Sequence, residues 1–232
     1  MVNRRVFITE LEALTSEVIC MGNAVEIMIA KVEQLLKNGN NALIAEIMEK
    51  EKLIDAMECK IEKECIELIA KQSPVASDLR RVSACMRLIG DMERIGDHCA
   101  DICEYLLLIQ KERYTIEIEE FFQMFTQMKK MVHNTIRCFA KEDQELALQV
   151  TVDDDKVDAI FSSELKKTTE KMKTDSTYIE CGVCYILILK YVERMADHAS
   201  NIAEWVLYLV GGNLEESMHS ENPSSVTWCE GE

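Results

Sequence analysis

The sequence has little of what turn-dense proteins need. Its 232 residues include only 2 prolines and 8 glycines, and aromatic side chains make up 6% of the chain. Sandwiches and barrels are richer in turn, aromatic and β-branched residues, so this composition argues against both. Hydrophobic residues still make up 48%, with 13 methionines, which is enough for a core between long helices. We therefore predict an all-α protein with almost no sheet.

Positive charge is also scarce, because 26 lysines and arginines stand against 42 aspartates and glutamates. The formal net charge of −16 repels phosphate backbones and anionic lipid, so we expect no nucleic-acid partner. No uninterrupted apolar run approaches the ~20 residues of a membrane helix. The beginning of the chain lacks an apolar segment of signal-peptide length. We predict a soluble, cytoplasmic protein.

The ten cysteines do not form a recognisable framework. Disulfides are rare in the cytoplasm, and the pair Cys181 and Cys184 in "CGVC" has no second pair at zinc-site spacing. Cys85, Cys99 and Cys103 recur at helical spacing along one apolar stripe. We expect these three thiols to fill the core as small apolar side chains.

Breaks in the apolar periodicity predict six helices. The first helix is predicted to end at the glycine of "KNGNN", and the third to begin at "SPVASDL", with Ser73 as N-cap. The predicted helices and breaks are Arg5 to Lys37, a second helix to Lys71, a third from Ser73 and Pro74 to Gln110, and a second set of three from "FFQMF" with breaks at Glu142–Asp143 and Thr174–Ser176. Three helices are followed by three more.

The two sets of helices repeat one pattern. Apolar residues of the third helix occur at alternating spacings of four and three, and adding 100 to each number gives a second apolar series: Cys85, Ile89, Met92, Gly96, Cys99, Cys103 and Leu106 match Tyr185, Leu189, Val192, Ala196, Ala199, Ala203 and Val206. We predict two tandem, pseudo-symmetric three-helix bundles with up-down helices, as in spectrin repeats. Their predicted bounds are 1–112 and 113–212, followed by a polar, disordered tail at 213–232.

An acidic motif occurs four times in this repeat. "ERIGDHCADICE" and "ERMADHASNIAE" carry Glu93 with Asp97 and Glu193 with Asp197, and the second helix of each set adds Glu51 with Asp55 and Asp154 with Asp158. Like charges at this i, i+4 spacing repel by roughly 0.2–0.5 kcal/mol per pair. On the predicted register the acids lie at the edge of the apolar stripe, facing water or a partner.

Two interpretations of the acidic motif remain open. A solvated helix face is the simpler one, because i, i+4 acids are common on wet helices. The alternative is metal binding, since carboxylates from adjacent helices suit Mg, Mn, Ca or Fe and a cation removes the repulsion. Matched positions in both sets, with no lysine within either stripe, favour metal. Asp101, Asn201, His98 and His198 are secondary candidates, although a histidine beside an acid on a helix is more often a simple surface residue.

These motifs resemble the PhoU family of phosphate-transport regulators. The similarity extends from about Asn3 to Gly212 and is carried by "IAKQSPVASDLRRVSACMRLIGDMERIGDHCADICEYL", by "LKYVERMADHASNIAEWVLYLVGG" and by the pairs "EKLID" and "DDKVD". The resemblance implies paired three-helix bundles with metals, Fe, Mn, Mg or Zn, on their acidic faces. The implied ligands are Glu51, Asp55, Glu93, Asp97, Asp154, Asp158, Glu193 and Asp197.

The resemblance also implies a function. A PhoU-like protein is a negative regulator of phosphate uptake, an adaptor between the ATPase subunit of the phosphate ABC transporter and a sensor histidine kinase, reaching the membrane only through these partners. We expect a homodimer without enzymatic activity, since no nucleophile stands beside a base. The alternatives are a di-iron or metal-storage carboxylate protein and a metal-free helical scaffold. Asp101, Ala196 and Glu51 depart from the family pattern, so the metal's identity stays open.

Overall fold

A computed structural model describes residues 2–72, 76–111 and 119–211. These residues form six α-helices and one 3₁₀ turn and contain no strand. The helices are α1 Val2–Asn38, α2 Ala42–Gln72, α3 Ala76–Lys111, α4 Glu119–Lys141, α5 Gln144–Thr174 and α6 Ile179–Gly211, with the 3₁₀ turn at Ser176–Tyr178. The predicted all-α fold is confirmed. The predicted boundary at 112, the Ser73 and Pro74 helix start and the tail at 213–232 lie outside the described residues.

Two of the predicted breaks have clear local causes. Gly39 ends α1 with a φ of 61°, and its N–H donates to the Leu35 carbonyl over 2.8 Å. A positive φ strains residues that have a Cβ, which is why glycine ends the helix here. Asp143 caps α5, because its carboxylate accepts from the Leu146 N–H at 3.0 Å. The 3₁₀ turn before α6 was not predicted.

Each set of three helices packs as an up-down bundle. The predicted seams of α3 and α6 are buried throughout, with Cys85, Cys99 and Cys103 at 0% exposure. Within the bundles, Lys60 of α2 binds Glu17 of α1, and Lys167 of α5 binds Glu120 of α4 at 2.7 Å. The prediction of three core cysteines is therefore confirmed.

The two bundles pack side by side through α3 against α6 and α1 against α4. His198 Nδ1 lies 2.8 Å from Asp91 Oδ1, and the His98 and Tyr191 rings are 5.2 Å apart. The two contacts occupy equivalent positions of the repeat, because His98 corresponds to His198 and Tyr191 corresponds to Asp91. Contacts that are equivalent in this way are expected around a twofold axis. The His98 and His198 rings, 5.6 Å apart, lie near this pseudo-twofold axis. On the other side of the molecule, His133 of α4 meets Glu26 of α1 at 2.6 Å.

The first helix is more apolar than its uninterrupted runs indicate. An 18-residue window within Arg4–Asn38 has a mean hydropathy of 1.4, and by length and composition this helix could cross a membrane. Counting only unbroken apolar runs misses this stretch. Val18, Met21 and Val25 are fully buried in the bundle core. The apolar face of α1 thus has a partner within the protein, and core helices commonly meet the same two criteria.

Gly96 offers a test of the repeat in the core. Its matched residue is Ala196, and a Cβ built on Gly96 would lie 3.4 Å from the Ile54 side chain, an ordinary van der Waals distance. We expect Gly96→Ala to raise the free energy of unfolding by about 0.5 kcal/mol, because alanine loses less backbone entropy than glycine in a helix. Denaturant unfolding measures the change. Gly22→Ala is the contrasting variant, since its Cβ would lie 2.8 Å from Ile136 and should destabilise the protein. A lower stability for Gly96→Ala would refute the matched packing.

Candidate metal centre

Carboxylates from two adjacent helices converge once in each bundle. In the first bundle, ligand atoms of Glu51, Asp55 and Asp97 all lie within 4.8 Å of one another. In the second bundle, Asp158, Glu193 and Asp197 do the same. Because α2 and α3, or α5 and α6, run side by side, an i, i+4 pair on one helix meets the matched pair on its neighbour. We call these groups the first and second carboxylate clusters.

The two remaining predicted ligands lie at the edges of these clusters. The Glu93 carboxyl has its pKa raised by burial and by the neighbouring charge of Asp97. The pKa of Asp154 is raised to about 7, first by burial and then by the charges of Asp197 and Asp158. The structure thus brings all eight sequence-predicted acids to two places, six within the clusters and two beside them.

Most of the cluster carboxylates are half-buried, unlike fully solvated acids. The carboxyl groups of Glu51, Asp97 and Asp158 all have a raised pKa, with burial as the largest cause, and burial raises the pKa of Asp197 to about 6. The side chain of Glu193 is only 12% exposed. The clusters are only partly covered, since Asp158 is exposed and the other five carboxylates are half-buried, which is consistent with an edge that faces water or a partner.

The donor set fits a hard or borderline divalent cation. In each cluster, three neighbouring carboxylates from two helices supply only oxygen ligands, which Mg²⁺ and Mn²⁺ prefer. The Asp154 carboxylate is largely buried, and the Ser200 hydroxyl is the hydrogen-bonding group beside it. One hydroxyl compensates a buried carboxylate only in part, and a cation would compensate it further. Three carboxylates in one half-buried place also repel each other unless a cation or a proton intervenes.

Basic side chains already touch each cluster. Arg94 lies 3.4 Å from Glu93 and 3.2 Å from Asp97, while Lys190 lies 2.5 Å from Glu193. Arg94 and Lys190 are not equivalent in the repeat, since the residue that corresponds to Lys190 is Gly90. Sequence inspection looked for lysine only within the stripes and missed Lys190, which precedes Glu193 by three residues, a helical neighbour spacing.

The secondary candidates lie elsewhere. His98 is buried at 7% exposure and its Nδ1 is 3.3 Å from Asp101 Oδ2, while His198 faces Asp91. Asn201 Nδ2 also approaches Asp91, at 3.4 Å. The surface interpretation of the histidines was wrong, because they occupy the interface between the bundles. None of the four secondary candidates belongs to either carboxylate cluster among the described residues.

A tandem of three-helix bundles with a carboxylate cluster on each bundle defines an all-helical repeat protein with two matched acidic sites. The PhoU domain model matches residues 18–106 and 121–206. The chain belongs to the PhoU family, which confirms the resemblance seen in the sequence.

Characterised relatives agree with this membership. A phosphate-specific transport system accessory protein PhoU homolog from Clostridium acetobutylicum is 29% identical over 210 residues, covering 90% of this chain and 96% of the relative. The Pseudomonas aeruginosa homolog is 32% identical over 89% of this chain and 86% of its own length. The crystal structure of PhoU from Pseudomonas aeruginosa superposes with a TM-score of 0.86 at 32% identity, covering 89% of this chain and 100% of that chain. The crystal structure of the phosphate transport system regulatory protein PhoU from Streptococcus pneumoniae superposes with a TM-score of 0.84 at 29% identity, covering 90% of this chain and 98% of that chain.

Proposed function

We propose that this protein is a metal-binding, cytoplasmic negative regulator of phosphate uptake and of phosphate-starvation signalling. Membership of the PhoU family is the observation that carries the proposal, because its relatives bear the name of the phosphate-specific transport system. In this role the chain acts as an adaptor. It docks on the ATPase subunit of the phosphate ABC transporter and on a sensor histidine kinase, and two copies form the working unit.

The geometry supports a binding role for the acidic face. Two carboxylate clusters at matched places of a duplicated fold present negative charge or bound metal to a partner. A strongly acidic protein attracts a basic partner surface, and such steering raises the association rate at low salt. The proposed metals are divalent or transition ions, Fe, Mn, Mg or Zn, held by the two clusters.

The di-iron alternative finds less support. Ferritin-like centres use Glu-x-x-His motifs that project into the bundle core. Here His98 and His198 approach Asp101 and Asp91 at the interface between bundles, and the clusters contain carboxylates alone. Oxygen-only ligation suits exchangeable divalent ions better than a redox-active di-iron centre.

A double substitution at matched positions, beside the first cluster and within the second, tests the proposed regulation. We expect Glu93→Gln with Glu193→Gln to lose binding to the purified transporter ATPase subunit and to lose repression of phosphate uptake in cells grown at high phosphate. Glutamine keeps side-chain size and removes charge, so these half-buried positions should tolerate it. Surface plasmon resonance and radioactive phosphate uptake are the measurements.

Glu62→Gln with Glu145→Gln provides the charge-matched control, because both residues are exposed and lie outside both clusters. The proposal fails if the cluster variant folds, is present at normal levels and still represses uptake fully. Absence of any binding between wild-type chain and ATPase subunit, with and without Mg²⁺ or Mn²⁺, would also reject it.

A further inference from the structure

Helix α4 differs in charge from the protein as a whole. The chain has 42 aspartates and glutamates in 232 residues, but residues 121–141 contain none. The same stretch carries four lysines and arginines and one histidine. A protein with a net charge of −16 therefore has a locally positive helix.

Four of these basic residues share one exposed face of α4. They occur at intervals of three, four and four residues, which are the intervals between neighbours on a helix surface. We call them the basic stripe, and its members are Lys130, His133, Arg137 and Lys141. The opposite face of α4, with Met128 and Val132, is buried in the bundle core.

The repeat does not impose this charge. In the register that pairs Asp154 with Glu51, α4 corresponds to α1, and buried positions match buried positions, such as Met128 with Val25. The residues of α1 that correspond to the basic stripe are all neutral: Ile27, Ala30, Gln34 and Asn38. Packing of the equivalent helix thus succeeds without a positive face, so the charge on α4 has another cause.

The C-terminal half of the basic stripe has no acidic partner. Lys130 lies 3.2 Å from Asp153 and His133 lies 2.6 Å from Glu26, whereas the side chains of Arg137 and Lys141 make no ion pair with the described residues. The helix dipole favours a cation in the last turn, which accounts for Lys141. It does not account for Arg137, one turn earlier. Two like charges at i, i+4 repel by roughly 0.2–0.5 kcal/mol, and an acidic group from outside would remove this repulsion.

The surroundings of the basic stripe favour a protein partner over a lipid surface. A helix that binds anionic lipid inserts an apolar face beside its basic residues, but the apolar face of α4 is already buried. On the neighbouring helix, Ile27 follows Glu26, the residue that contacts His133, and is 49% exposed. One exposed isoleucine can contact an apolar side chain of a partner segment, but it is too little apolar surface to anchor a helix in lipid.

We propose that the basic stripe, with Ile27 beside it, is the docking site for an acidic segment of a partner protein. The inference deepens the proposed adaptor role and rests on it, because an adaptor that joins two partners needs two surfaces. The carboxylate clusters attract a basic partner, and the basic stripe attracts an acidic one.

An acidic peptide tests the assignment. The probe is a fluorescein-labelled 12-residue peptide with five glutamates and two leucines, measured by fluorescence anisotropy at low and at physiological salt. The net charge of −16 repels such a peptide, so binding requires a locally positive surface. Arg137→Gln with Lys141→Gln should weaken binding about fivefold or more, and the loss should shrink as salt rises. The same peptide with glutamine in place of glutamate should not bind.

Lys63→Gln with Lys166→Gln is the matched control, because it removes the same charge from exposed positions of α2 and α5. It should change peptide binding less than twofold. Circular dichroism checks that both double variants keep their helicity.

Two results would overturn the assignment. If the acidic peptide does not bind the wild type at low salt, or if both double variants weaken binding equally, the basic stripe is not a docking site. Binding to phosphatidylglycerol vesicles that is lost in the Arg137→Gln, Lys141→Gln variant, without peptide binding, would assign the stripe to lipid and also reject a protein partner. Binding of the ATPase subunit tests the regulatory proposal separately, because that binding is proposed to depend on the carboxylates and not on the basic stripe.

Discussion

Asp97→Ala combined with Asp197→Ala should remove most of the divalent metal that co-purifies with the protein. Each substitution deletes one ligand from a three-carboxylate cluster, and the remaining two carboxylates supply too few oxygen ligands to hold the ion firmly. The single variants should each lose about half of the bound metal, because the clusters lie in separate bundles. Losing one of three protein ligands commonly costs far more than tenfold in affinity.

Elemental analysis of protein purified without chelator, and titration with Mn²⁺ followed by electron paramagnetic resonance, measure the loss. Asp101→Ala is the matched control, since Asp101 contacts His98 and belongs to neither cluster. Helicity by circular dichroism checks that the fold persists. An unchanged ratio of metal to protein in the double variant, in a protein that binds metal as wild type, would show that the ions sit elsewhere.

Much of this architecture could be predicted from the sequence because it depends on local rules. Gly39 and Asp143 mark helix ends through their own backbone and side-chain chemistry. The four-three spacing in α3 and α6 identifies the core face without knowledge of neighbouring helices. The positions of the eight acids relative to the core follow from the same register, because equivalent residues of the two repeats lie on the same face of equivalent helices.

The features that sequence reasoning missed depend on contacts between bundles. His98 was expected at the surface because a histidine beside an acid on a helix is usually exposed. Ala84, Asp91, His98 and Tyr105 recur every seven residues and form a second seam that faces α6. This seven-residue repeat is visible in the sequence, but two of its four members are polar, so it does not resemble an apolar packing seam. The depth of Asp154 gave no such signal, because burial there depends on how closely α5 approaches α6.

The burial of the carboxylates, together with their mutual repulsion, also predicts how stability depends on pH. In the metal-free protein the pKa of Asp154 is about 7 and that of Asp197 about 6, both above the ordinary value of 3.8. Between the ordinary pKa of 3.8 and the raised pKa of about 7, the folded state binds more protons than the unfolded state. The free energy of unfolding therefore falls as pH rises from about 4 to 7. Metal-free protein should therefore melt at a lower temperature at pH 8 than at pH 5. Excess Mn²⁺ should reverse much of this loss at pH 8, because it binds the ionised form.

Asp154→Asn isolates the residue with the largest contribution. Asparagine cannot ionise, so the variant keeps the uncharged form that the folded protein prefers. At pH 8 the metal-free variant should therefore be more stable than the wild type by about 1–2 kcal/mol, a figure that allows for solvent screening of a partly exposed group. The difference should shrink toward pH 4, where wild-type Asp154 is protonated. Asp155→Asn on the same helix is the control, since Asp155 is exposed whereas Asp154 is half-buried. Thermal and urea unfolding with chelator present measure both effects. A metal-free Asp154→Asn variant that is less stable than wild type at pH 8 would mean that the charged carboxylate is stabilised by its surroundings, and the case for a cation at the second cluster would lose its electrostatic basis.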